Sequence, residues 1–269
     1  MSTQMRMATV ASGSSGNCIY VGSEKTHILI DAGVSKKRTE TGLNANNVAM
    51  SDISAIMITH EHSDHIQGLG VIARNYEIPI YATEKTLYEI EHNKALGRIP
   101  EGLYREVRED EPLMIGDLKV CPFRISHDAV QPVGYRINCQ DKSVAVATDM
   151  GKYDDYIISH LKGLDAIVIE ANHDVRMLLA GRYPYYLKKR ILGDRGHLSN
   201  EASGRLINEI LHDRLQYIIL GHLSKENNYE ELAYETVRTE ILLSDNPYKA
   251  EDFNISVAKR ETHSELLMI

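Results

Sequence analysis

The run Thr59-His60-Glu61-His62-Ser63-Asp64-His65 places three imidazoles and a carboxylate within six residues of a chain that holds twelve histidines. In an extended segment alternate side chains point the same way, so His60 and His62 face together. The chain then turns into a helix, and Asp64 and His65 open it on the other side of the same pocket. One run can therefore supply two ligands to each of two metals about 3.5–4 Å apart. Neutral imidazole suits Zn²⁺, Mn²⁺ and Fe²⁺, and the carboxylate adds a hard oxygen. The glutamate lies between the histidines, at the wrong offset for a helical HExxH zinc site. The competing reading, a solvated polar loop, fits poorly with so dense a His/Asp spacing.

Four ligands do not complete two metal sites, and further donors are expected at other strand ends. His127, Asp149 and His222 all have that context, in Ile125-Ser126-His127, Ala147-Thr148-Asp149 and Gly221-His222. Each alone would read as a hydrogen-bonded turn residue; beside the first run they become candidate ligands. Asp31 ends a strand and is expected to orient a metal-bound imidazole from behind rather than to bind metal. His173, in Glu170-Ala171-Asn172-His173-Asp174, could hold a scissile phosphate or tune the site, or be a satisfied structural histidine.

The segment Arg182–Arg195 carries five cations (Arg182, Lys188, Lys189, Arg190, Arg195) and one acid, net +4 in a chain of net −8. Tyr183, Tyr185 and Tyr186 lie alongside. Cations for phosphates and aromatics for bases are the parts of a surface that binds single strands or ends. Arg182, Tyr183, Lys188, Lys189 and Arg190 are the candidate substrate residues; a solvated amphipathic helix is the plainer alternative.

The elements that must position these residues alternate. Asn17–Gly22 and Thr26–Ile30 read as a hairpin and Ile53–Ile58 as a strand. Helical spacing covers 64–76 and 84–94, with Gly97 as a stop. Strands are expected at 118–125, 133–138, 143–148, 166–170, 216–220 and 254–258, and helices at 154–161, 199–211 and 226–242. Ala8–Gly16 reads as a tight connection. This order suits an α/β protein with two sheets packed face to face and helices outside, with polar clusters beyond the strand ends where such folds place ligands. No linker or repeat divides the chain, so residues 1–269 are expected to form a single domain.

Composition narrows the classes. A quarter of the residues are charged and 43% hydrophobic, the profile of a globular protein with a sizeable core. A net charge of −8 disfavours non-specific coating of nucleic acid, but not a grip on a short stretch of phosphate. Apolar runs are strand-sized, far short of the roughly 18 residues of a membrane span. The first residues lack the apolar stretch of a secretory signal. Cys18, Cys121 and Cys139 are too few and scattered for a disulfide framework, so a reducing cytoplasm is expected.

The order His-x-His-x-Asp-His, then His127, Asp149 and His222, is the metal signature of metallo-β-lactamase-fold hydrolases. The whole chain resembles one bacterial branch of that superfamily, the YycJ (VicX, WalJ) group. The matching segments are residues 11–17 (AlaSerGlySerSerGlyAsn), Asp31-Ala32-Gly33, the 59–65 run, 170–174, Gly181-Arg182-Tyr183-Pro184, Gly196-His197-Leu198-Ser199-Asn200-Glu201 and 221–224. The resemblance implies an αββα sandwich with His60, His62 and His127 on one metal, Asp64, His65 and His222 on the other, and Asp149 bridging them. It further implies a phosphodiesterase of nuclease type, the branch pointing to a DNA exonuclease working from 5′ ends. In that chemistry a hydroxide between the metals attacks phosphorus in line, and Asp64 counts among the catalytic residues as well as the ligands. His197 resembles the histidine that protonates the leaving oxygen in tRNA-processing relatives; alternatively, it caps the helix that follows. The expected cofactors are two Zn²⁺ or Mn²⁺ ions, with Fe²⁺ also compatible. The expected partner is DNA ends, with a functional link to a cell-envelope two-component system.

Two other readings use the same residues. A glyoxalase II-type thioester or lactone hydrolase needs the same seven ligands, but not the cationic, Tyr-rich segment or His197. A regulatory partner that keeps a metal for stability would not need so complete a ligand set.

Overall fold

The structure is a computed structural model that describes residues 4–269. The chain folds into two compact units. The first comprises Met1–Arg124, Ala129–Lys142 and Lys259–Ile269, and the second Ile125–Asp128 and Ser143–Ala258. The described strands form two mixed sheets of seven.

The first unit holds β1 (Arg6–Ala11), β2 (Cys18–Gly22), β3 (His27–Ile30), β4 (Ile53–Met57), β5 (Ile80–Thr83) and β6 (Tyr104–Val107). It also holds β7 (Leu113–Ile115), β8 (Leu118–Arg124), β9 (Val133–Cys139) and the closing β14 (Leu267–Met268). One sheet runs β14-β1-β2-β3-β4-β5-β6. Its first four strands pair antiparallel and β3 to β6 pair parallel. Parallel neighbours need crossovers, and the chain supplies α1 (Lys36–Ala45) after β3, α2 (Ser63–Ile66) and α3 (Leu69–Tyr76) after β4, and α4 (Glu84–His92) after β5. Leu29, Ile56, Ile58, Leu69, Ile72 and Ile80 belong to one buried cluster under these helices. β7, β8 and β9 form an antiparallel meander.

The second unit is built on β10 (Lys142–Ala147), β11 (Ala166–Glu170), β12 (Tyr217–Gly221) and β13 (Asn254–Val257), all parallel. β11 is buried at every position, the continuous apolar run of a strand covered on both faces. The crossovers are α5 (Asp155–Leu161), then α6 (Val175–Ala180), α7 (Tyr185–Ile191) and α8 (Asn200–Asn208), then α9 (Glu230–Leu243).

The elements expected from periodicity are present with shifts, and Ala8–Ala11, expected as part of a tight connection, instead close β1 and pair with β2. The helix expected over 64–76 is two, α2 and α3, broken at Gln67-Gly68. A Cβ at Gly68 would lie 1.9 Å from the Val34 carbonyl oxygen, and Gly68 N donates to Ala32 O at 2.9 Å. The chain there is bent to fit the loop after β3. α9 starts four residues later than expected. Asn227 and Asn228 are committed elsewhere: Asn228 Nδ2 donates to the carbonyls of Ala171 (2.9 Å) and Asn172 (3.1 Å).

Candidate metal centre

In the first unit, β3 and β4 end side by side and their next residues build a cluster of candidate ligands. Asp31 follows β3 in the left-handed region, φ 64°. Its buried carboxylate accepts from Thr59 N at 2.8 Å and Thr59 Oγ1 at 2.9 Å, and lies 2.7 Å from His65 Nδ1. That contact fixes the His65 tautomer with Nδ1–H donating, which makes Nε2 the lone-pair nitrogen, with Asn17 Nδ2 3.2 Å from it. Nε2 lies 3.6 Å from Asp64 Oδ2. The rings of His60 and His65 have centroids 4.1 Å apart, and those of His60 and His62 4.6 Å. His60 Nδ1 meets Thr59 Oγ1 at 3.0 Å.

The turn that carries Asp64 and His65 is clamped by backbone. Asn17 N donates to Asp64 O and Ala32 N to His65 O, both at 2.8 Å. A Cβ on Gly33 would lie 1.7 Å from Asp64 O, so only glycine permits this approach. The serine-glycine connection and the Asp-Ala-Gly loop thus set the position of the ligand run.

In the second unit the candidate residues gather beyond the carboxyl ends of the parallel strands, as expected for this architecture. His127 Nδ1 meets Gly196 O at 3.1 Å, which turns Nε2 outward, 3.8 Å from Asp149 Oδ1. Asp149 and His222 follow β10 and β12 with φ of 62° and 55°. His222 Nε2 lies 3.4 Å from Asp149 Oδ1. One potential ligand atom on each of Asp149, Glu170, His197 and His222 falls within 4.8 Å of the others. The donor set suits a divalent metal: buried imidazoles whose Nδ1 lies against an oxygen, with Nε2 3.4–3.8 Å from a carboxylate oxygen.

Glu170, the last residue of β11, is the residue that sequence reasoning did not assign a role. It is fully buried. Oε1 takes the Nδ1–H of His197 at 2.7 Å and of His222 at 3.0 Å. Oε2 takes the backbone N–H of Met150 at 2.9 Å and of Leu198 at 3.1 Å. Burial alone would raise its pKa, but the charge of His197 and the two imidazole bonds outweigh burial and hold it at about 2. Burial likewise opposes charge on His197, yet Glu170 and Asp149 together raise its pKa above the ordinary imidazole value. The only sequence signal for Glu170 was a charged residue closing an otherwise apolar strand.

His173 is 1% exposed. Its Nδ1 meets Asn172 Oδ1 at 3.3 Å, and Nε2 makes no hydrogen bond among the described residues. Burial pushes its pKa down to about 4, so it is neutral at pH 7. Asn172 N donates to Leu198 O at 3.0 Å and Asn200 N to His173 O at 2.9 Å, which staples the His173 and His197 segments together. Ser199, not His197, caps α8, accepting from Ala202 N at 3.2 Å.

The five candidate substrate residues lie on α7 and the turn before it. Lys188 Nζ donates to Leu179 O at 2.6 Å, and Arg190 Nε pairs with Asp128. Arg182 and Lys189 are exposed, and Tyr183 is half-buried.

The model of the β-lactamase superfamily domain matches residues 26–218. Exodeoxyribonuclease YycJ of Bacillus anthracis is 42% identical over 233 residues, 87% of this chain and 88% of that protein. Exodeoxyribonuclease WalJ of Streptococcus pneumoniae is 42% identical over 240 residues, 89% of each. Among solved structures, the metallo-β-lactamase fold protein YhfI from Bacillus subtilis aligns with a TM-score of 0.72 at 16% identity, covering 100% of both chains. A diphosphatase of the PhnP family aligns with a TM-score of 0.67 at 19% identity, covering 99% of this chain and 98% of that one. These structures show the metallo-β-lactamase fold expected from the sequence.

Proposed function

The chain belongs to the metallo-β-lactamase superfamily and, within it, to the YycJ/WalJ group, and on that premise we propose that it is a metal-dependent DNA exonuclease. We place its preferred direction as 5′→3′ and its residues 1–269 in a single catalytic domain. His60, His62, Asp64, His65, His127, Asp149 and His222 are the proposed ligands of two divalent cations, Zn²⁺ or Mn²⁺, with Fe²⁺ also compatible. When bound, these cations supply Lewis acidity and a nucleophilic hydroxide at neutral pH.

The protein's own groups do the rest. The observation that carries this reading is the tautomer control. His65, His127 and His222 each have Nδ1 against an oxygen, of Asp31, Gly196 and Glu170 respectively, which presents Nε2 as the ligand atom. His197, held by Glu170 with a raised pKa, keeps a proton that it passes to the leaving 3′-oxygen. His173, its Nδ1 against Asn172 Oδ1 and its pKa lowered by burial, tunes the site as a neutral group beside the scissile phosphate. Arg182, Tyr183, Lys188, Lys189 and Arg190 line the approach of the DNA backbone, with Arg182 and Lys189 offering charge to its phosphates and Lys188 and Arg190 holding α7 in place. Cys18, Cys121 and Cys139 are free thiols, which supports a cytoplasmic location. No helix among the described residues is long and apolar enough to cross a membrane. A functional link to a two-component signalling system completes the reading; deletion of the gene should alter that system's output.

The test is a gel assay with 5′- and 3′-labelled DNA and RNA, single- and double-stranded, with Mn²⁺ or Zn²⁺. An Asp64→Ala/His65→Ala double variant serves as control. Stepwise release of the 5′ label from DNA by the wild type alone is the expected result. No cleavage of any nucleic acid by the metal-loaded protein would overturn the reading and direct attention to thioesters.

A further inference from the structure

α7 is a surface helix without a buried face. None of its seven residues is buried, and Tyr185 and Tyr186 are 78% and 74% exposed. Two adjacent aromatic rings left in water forgo the burial that stabilises such side chains elsewhere. The helix is nonetheless firmly held. Lys188 Nζ donates to Leu179 O at 2.6 Å, Arg190 pairs with Asp128, and His197 N donates to Ile191 O at 2.9 Å. All of these anchors lie on the second half of α7, so the tyrosines stand clear at its first turn. Two of its three cations are engaged inside the protein, whereas Lys189 makes no ion pair among the described residues.

The surroundings select a polyanion as the occupant. The segment Arg182–Arg195 is net +4 within a chain of net −8. A polyanion with flat π-faces is a nucleic acid, and only unpaired bases can offer those faces to a tyrosine, because paired bases in a duplex are covered by their neighbours.

We propose that Tyr185 and Tyr186 form a stacking platform for the unpaired bases of a single-stranded DNA end, with Arg182 and Lys189 on its phosphates. Lys188 and Arg190 fix the platform in place. This inference rests on the nuclease reading and deepens it by naming the strand state that the enzyme takes. The anchoring also sets a register. Arg190 holds Asp128, the neighbour of His127; Arg195 Nε donates to His127 O at 3.0 Å; and His127 Nδ1 meets Gly196 O. Bases held on the platform are therefore fixed relative to the His127 imidazole, with no hinge between them.

The test uses the full-length protein and a short single-stranded oligodeoxynucleotide with 2-aminopurine near its 5′ end, in Ca²⁺ so that binding is read without turnover. Wild type should quench the fluorophore. Tyr185→Ala/Tyr186→Ala should abolish the quenching and weaken binding by roughly fivefold to 150-fold per base lost from the stack. Tyr185→Phe/Tyr186→Phe should restore both, because the ring is what stacks. An oligonucleotide that is abasic at its 5′ end should bind wild type and the alanine variant equally. In Mn²⁺, the alanine variant should raise KM for single-stranded DNA while kcat at saturation holds. Wild-type quenching and affinity in the alanine variant, with its fold intact by circular dichroism, would overturn the platform. DNA bound and quenched but never cleaved would instead overturn the nuclease reading and leave the platform standing.

Discussion

Replacing Glu170 with glutamine keeps the shape of the side chain and changes only what its two oxygens can do. The backbone N–H groups of Met150 and Leu198 cannot become acceptors, so the amide carbonyl must take the Oε2 position and the NH₂ the Oε1 position. The NH₂ then faces His197 Nδ1 and His222 Nδ1, at 2.7 and 3.0 Å from the present oxygen. Both imidazoles can satisfy it only by moving their proton to Nε2. His222 Nε2 would thereby lose the lone pair that the proposed metal needs. Hydrogen bonds to a charged acceptor contribute about 1.5–3 kcal/mol and those to a neutral one about 0.5–1.5. Four weakened bonds that remain made should therefore cost roughly 4–6 kcal/mol of metal-free stability. Metal affinity should fall about 10–100-fold, the usual effect of removing the group that orients a ligating histidine. The assay is metal titration by calorimetry beside urea unfolding of the metal-free protein. Wild-type metal affinity in Glu170→Gln would refute the argument that this carboxylate sets the tautomer of His222.

Three further outcomes are expected. Gly33→Ala should lower the thermal midpoint sharply, costing about 1–3 kcal/mol or more as an overpacked contact, because the new methyl meets Asp64 O at 1.7 Å. Thermal melts of the metal-free protein check it, and an unchanged midpoint would sink the clamp. Asp31→Asn should weaken metal binding about 10–100-fold, through His65 directly and through Thr59 Oγ1 to His60, with the fold retained by circular dichroism; equal metal content in the two proteins would count against it. His27 lies against Tyr20, its Nδ1 2.6 Å from the phenol oxygen, and burial lowers its pKa. Its stabilising contribution is therefore complete above the unfolded-state value of about 6.5 and is lost as pH falls through the lower folded value. His27→Gln should flatten that part of the stability–pH curve in urea titrations.

The 59–65 run was legible because ligand spacing on an extended segment is a local property, visible without knowledge of the fold. The same holds for β11 and β12, whose apolar runs are complete in themselves. Glu170 was not legible as an orienting group because its partners lie 27 and 52 residues away. The break at Gly68 was hidden because a glycine inside a helical pattern is tolerated; what breaks the helix is the Val34 carbonyl, supplied by a loop some thirty residues earlier in the chain. Short edge elements escaped for another reason. β7 and β14 have three and two residues, too few to show a period. The role of the ASGSSGN segment was half visible: its turn residues announced a connection, but that it would grip Asp64 through Asn17 depended on tertiary contact.

Asp31, Asp149 and His222 share one backbone trait: each stands at positive φ directly after, or close behind, a strand end. Such a conformation penalises most side chains, and glycine or asparagine would relieve it. Selection for stability alone would therefore push all three positions toward those residues, and only selection for chemistry opposes it. In a duplicated copy released from its catalytic duty, these are the positions where relaxation should show earliest. Glycine or asparagine at 31, 149 and 222, in a chain whose core is otherwise intact, would mark a copy that has kept the fold and given up the reaction.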